Sequence, residues 1–172
     1  MTELNVATRE DFEAACGIAK DLAENVYTRT PDLPPAGLVF SKADDGRWDV
    51  GIIDMAPFFA MPVGKQMAVA MLNQLMQDRP SVLLTCLLSE AWRVERPVPA
   101  DGESVSMSPP SEDPNRIECL MLNVLSRESQ AIKALDIDRS AEDITLKEGE
   151  LVFVSEANRL QGNMIRPNKT AH

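Results

Sequence analysis

Residues 81–95 read SVLLTCLLSEAWRVE and residues 116–127 read RIECLMLNVLSR. The first run is apolar on both faces over its first half, which predicts a long strand buried on both sides. The second is a further strand of the same kind. AIKALDIDR, residues 131–139, follows it through Glu128-Ser129-Gln130, a connection short enough for a hairpin. Upstream, GLVFSK (37–42) and RWDVGIIDM (47–55) flank ADDG, in which Asp45-Gly46 is a strong tight-turn signal. Downstream, the polar text AEDITLKEGE carries turn character at Glu148-Gly149 and leads into a final strand, LVFVSEA. Strands joined by connections this short run antiparallel.

Two helical patterns accompany these strands. Phe12, Ala15, Cys16, Ala19, Leu22, Ala23 and Val26 recur at steps of three and four residues, predicting an amphipathic helix over 8–27. Thr8 and Asp11 form a variant capping box at its start. Gly17 inside it costs about 1 kcal/mol against alanine, which suggests a close packing contact. The segment TRTPDLPPAG then reads as an extended connector. Residues 64–78 form the second helix. Met67, Ala68, Val69, Ala70, Met71, Leu72, Leu75 and Met76 cover nearly its whole circumference, so it is expected to be buried on more than one side. It lies inside the domain across the sheet, or part of it makes a homo-oligomer interface. The expected fold is α+β: a single mainly antiparallel sheet with the N-terminal helix and the buried apolar helix packed on it as a two-layer sandwich. One domain spans 1–156, and the polar, net-basic residues 157–172 form a C-terminal arm.

Composition narrows the chemistry. The 172 residues carry 17 Lys and Arg against 27 Asp and Glu, a formal charge of −10 with a pI near 4.6. Such a chain is not expected to bind DNA or RNA directly, since neutralising phosphates needs a basic face. The single histidine is His172, which removes histidine triads, metal clusters and a histidine general base from the folded body. Cys16, Cys86 and Cys119 each sit in apolar text without C-x-x-C spacing; inert, reduced core thiols explain them better than a nucleophile does. The polar, acidic N-terminus shows no secretory signal, and no apolar stretch approaches a membrane span, so a cytoplasmic protein without membrane contact is expected. Gly64-Lys65 before a helix invites a phosphate-loop reading, but Phe59 stands where the pattern needs glycine and Gln66 where it needs Ser or Thr.

The most unusual text flanks the proline-rich loop 96–115. Pairing strands 82–95 and 116–127 about the loop centre places Arg93 opposite Glu118 and Glu95 opposite Arg116, and such cross-strand charges would fix the register. The competing functional reading gathers Glu90, Trp92, Ser111, Glu112, Asp113 and Arg116 at the loop base as a recognition site, with Trp92 as its aromatic anchor. Asp136 and Asp138, two apart on a strand, share a face that a hard cation can use, with Glu90 as a third ligand. A solvated strand end explains them equally well. Nine methionines suit either a gap-filled core or an adaptable interface.

SEAW (89–92) followed by PSEDPNRIE (110–118) resembles a pattern in small uncharacterised proteins of bacteria and their phages. The resemblance covers residues 89–118 and implies a prokaryotic or phage accessory protein. It brings no activity and no catalytic residue. The expectation is a non-enzymatic protein that binds a protein partner through its surface, needs no cofactor, and self-associates through helix 64–78. The alternatives are an acidic nucleic-acid mimic that blocks a defence protein and a carboxylate- or metal-dependent enzyme.

Overall fold

Thr8 opens helix α1 (Arg9–Tyr27) with both halves of a capping box: the Asp11 N–H donates to Thr8 Oγ1 at 3.2 Å, and the Thr8 N–H donates to Asp11 Oδ2 at 2.9 Å. Thr8→Ala removes one of those partners and is expected to cost about 1 kcal/mol of stability, read as a lowered urea midpoint. The computed structural model describes residues 5–94 and 110–154. The expected C-terminal arm and most of loop 96–115 lie outside them, as do Met107 and Met164.

Strands β1 (Ala36–Lys42) and β2 (Trp48–Asp54) form the first hairpin, closed by Gly46 in the left-handed region at φ 86°. A short helix α2 (Ala56–Phe59) follows, begun by the Asp54 carboxylate accepting from the Ala56 N–H. Helix α3 (Gly64–Asp78) leads into β3 (Val82–Arg93), and a 3-10 turn (Pro110–Glu112) precedes β4 (Ile117–Leu125). Next come β5 (Gln130–Asp138), β6 (Thr145–Lys147) and β7 (Leu151–Phe153). Among the described residues one sheet holds seven strands, in the order β2-β1-β3-β4-β5-β6, with β7 also on β5, and each of these pairings is antiparallel. The fold is α+β, built on a single antiparallel sheet.

The helices divide between the faces. Phe12, Ala15, Cys16, Ala19 and Ala23 of α1 pack on Leu38, Phe40, Leu84, Cys86, Leu88, Leu120, Leu122 and Val124. Ala68, Val69, Leu72 and Met76 of α3 pack with Met55, Leu87 and Leu125. Since successive strand residues face opposite ways, Leu88 and Leu87 place the two helices on opposite sides. The layers are helix, sheet, helix, where the sequence pointed to two. This also explains the doubly apolar first half of β3, each face of which meets its own helix.

Three expectations need correction. Helix 64–78 is buried along one side only: Met67 is 40% exposed, and Lys65, Gln66, Ala70 and Gln74 also face outward. Its apolar circumference exceeds the surface the sheet can cover. Gly17 is exposed, and a Cβ built there meets nothing within 4 Å, so no close contact explains it. The β3–β4 register differs by one residue from the expected one. Trp92 stands opposite Glu118 and Arg93 opposite Ile117. Arg127 closes the end of α3, donating to the carbonyls of Met76 (2.5 Å), Arg79 (3.0 Å) and Val82 (2.8 Å).

Candidate functional site

A one-residue slip moves every side chain to the other face. With the register observed, Glu90 and Trp92 of β3 and Glu118 of β4 lie on the α1 face, beyond the C-terminal end of that helix. Arg93 lies on the α3 face. The ion pairs follow this division. Arg93 clasps Asp136 through Nε at 2.7 Å and Nη2 at 2.6 Å. Glu118 receives Arg139 instead, through Nε at 2.9 Å and Nη2 at 2.8 Å.

On the α1 face these groups form a connected polar cluster. Tyr27, in the last turn of α1, donates its hydroxyl to Glu90 Oε1 at 2.7 Å, and the Leu33 N–H donates to the same oxygen at 2.7 Å. Arg139 bridges the two carboxylates, lying 3.6 Å from Glu90 as well as on Glu118, and it donates to the Pro31 carbonyl. Its guanidinium also stands over the Tyr27 ring, 5.8 Å from the centroid. The cluster therefore ties the proline-rich connector after α1 to the sheet. Arg139 holds the Glu118 carboxyl below the usual range, more strongly than burial raises it. Burial, then the bond to Glu90, pushes the Tyr27 hydroxyl up and keeps it a donor.

Trp92 is 42% exposed, and Arg116 stacks on it with the guanidinium 4.5 Å from the ring centroid. Arg116 also donates to the Ser111 carbonyl, so the 3-10 turn and the Trp92 ring share one guanidinium. Of the six residues expected to converge, Trp92, Arg116 and Ser111 come together, with Glu90 two positions along the same strand face. Glu112 is exposed at the end of the turn. Asp113 serves the local chain, accepting from the Asn115 N–H at 2.8 Å and, through its carbonyl, from the Arg116 N–H at 3.2 Å. Sequence reasoning missed Tyr27 and Arg139. A tyrosine at a helix end and an arginine just past a strand are the only local signals they give.

The proposed cation pair is differently engaged. Arg93 already neutralises Asp136 and depresses its pKa, with burial acting the other way. Asp138 Oδ1 accepts from the Ser140 N–H at 2.9 Å and from Ser140 Oγ at 2.5 Å. Glu90 lies on the opposite face of the sheet from Asp136, so the three carboxylates do not meet. Among the described residues no group of three or more His, Cys, Asp or Glu could hold a metal ion. All three cysteines are free and buried, and burial pushes the Cys16 and Cys119 thiols up to about 11 and Cys86 well above its ordinary value. Thiols so placed stay protonated. Among the described residues no helix is long and apolar enough to cross a membrane.

Among the described residues the arrangement offers a part-exposed Trp92 ring with the Arg116 guanidinium stacked on it, and an ionic cluster beside them on the same sheet face. Compared with known proteins, the chain matches no family model, no curated protein and no solved structure.

Proposed function

We propose that this protein is a non-enzymatic accessory protein that binds a protein partner through the surface around Trp92 and Arg116. The observation that carries this reading is the exposed Trp92 ring with an arginine stacked on it. Trp and Arg dominate binding hot spots because they bury much area and pair in directed ways. Glu90, Glu118 and Arg139 tie the strand ends together beside the ring, so little ordering entropy is lost on docking. The partner suited to this surface presents an apolar side chain for the ring and a carboxylate for the Arg116 donors.

Trp92→Ala separates recognition from packing. With Trp92 42% exposed, the expected stability loss is about 1–2 kcal/mol, from the partly buried ring area and the stacking on Arg116. A tagged wild-type chain should retain a partner from the host lysate that the variant loses, with both forms fully folded at the temperature of the assay. A partner held equally by both forms would sink the assignment. So would a drop in melting temperature large enough to make Trp92 a core residue.

A further inference from the structure

We infer that β2 is a self-association edge, on which a second copy of this chain pairs its own β2 antiparallel about a two-fold axis at Gly51. The two ends of the sheet are built differently. At the β5 side the outer strands β6 and β7 are three residues each and interrupted by a turn, which is how exposed edges are usually blunted. At the other end β2 runs seven residues, WDVGIID, without proline, lysine or bulge, and among the described residues it pairs only with β1. It also carries Ile52, which at 64% is the most exposed large apolar side chain described.

The hydrogen-bond phase determines which groups are free. The Ala43 N–H donates to the Arg47 carbonyl and the Met55 N–H to the Pro35 carbonyl, so the odd-numbered residues of β2 exchange bonds with β1. The N–H and C=O groups of Trp48, Val50, Ile52 and Asp54 therefore point outward. A two-fold axis at Gly51 is the register that pairs all four: Val50 with Ile52 of the second copy, and Trp48 with Asp54. A shift of the axis to Val50 or Ile52 leaves some of these groups unpaired. In the Gly51 register the exposed Ile52 covers the half-buried Val50, glycine meets glycine at the axis, and no like charges stand opposite one another. This self-complementarity favours a second copy over an unrelated strand.

Sedimentation equilibrium of the full chain tests the inference. The wild type is expected to reach twice the chain mass. Ile52→Pro, which removes an outward N–H that β1 does not use, should sediment as a single chain with wild-type circular dichroism. Ile52→Lys keeps the backbone intact and should weaken association about tenfold, covering the case in which proline disturbs the strand. Wild type at one chain mass overturns the inference. So does association that survives both Ile52 variants, or that is lost in Met67→Glu on the outer side of α3 while both Ile52 variants remain dimeric. Trp92→Ala should leave the dimer unchanged, so the inference stands or falls apart from the partner surface.

Discussion

Gly64→Ala is expected to cost at least about 3 kcal/mol, enough to shift the urea midpoint severely. A Cβ at Gly64 would lie 1.6 Å from the Phe58 carbonyl oxygen and 2.4 Å from its carbon, far inside van der Waals contact with the backbone of α2. Neither atom belongs to a flexible side chain, so relief requires α2 to move away from α3. That movement withdraws Phe58 and Phe59, which pack against the cluster of Met55, Ala68, Val69 and Leu72. It also disturbs the Gly64 N–H bond to the Met61 carbonyl at 3.0 Å. Gly17→Ala is the matched control. It lies inside α1 with open space around its Cβ, and it should gain up to about 1 kcal/mol, because alanine loses less backbone entropy in a helix. A loss at position 64 no larger than about 1 kcal/mol would show that α2 is not seated as described.

Those two glycines show where sequence reasoning reaches. The capping box at Thr8, the tight turn at Gly46 and the limits of both long helices are set by neighbours within four residues, and all were legible. The long strands were legible from apolar runs too short for helices. What escaped was set by distant partners. Gly17 lies inside one helix and Gly64 opens another, but neither position shows in sequence whether a Cβ would meet a neighbour; for Gly64 the position of α2 decides it. The β3–β4 register failed because the stretch of sequence between the strands is too long for a tight-turn signal to count the pairing, and two plausible salt bridges supported the wrong alternative by one position. Strand β6 was hidden in polar text because three edge residues need little apolar content. At the candidate site, Trp92 and Glu90 stood out as unusual residue types. Their supports, Tyr27 and Arg139, could not be read, since Tyr27 reaches Glu90 across 63 residues and Arg139 reaches Glu118 across 21.

Arg139→Ala should be the most damaging change within that site, at about 2–3 kcal/mol. Losing one partner of a fully buried pair costs about 3–5 kcal/mol. The side chains here are 23–30% exposed, and water screening lowers the figure. The loss still exceeds that of a surface pair because four interactions vanish together: the two-pronged bond to Glu118, the approach to Glu90, the bond to the Pro31 carbonyl and the contact over the Tyr27 ring. Two carboxylates are then left facing each other without a cation. Arg139→Lys should recover only part of the loss, since a single ammonium cannot serve both oxygens of Glu118 and the Pro31 carbonyl. The pH dependence gives an independent reading. Glu118 is depressed in the folded state, so its share of stability is present above the unfolded carboxyl value of about 4.3 and fades as pH falls through the lower folded value. Arg139→Ala should therefore lose less stability than wild type between neutral pH and about pH 3, which urea titrations at several pH values can check. Parallel profiles for the two proteins would mean that Arg139 does not act through Glu118. The same variant tests the proposed function from below: if the ionic base positions Trp92, partner binding should weaken even where the protein remains folded. Undiminished binding would assign Arg139 to stability alone.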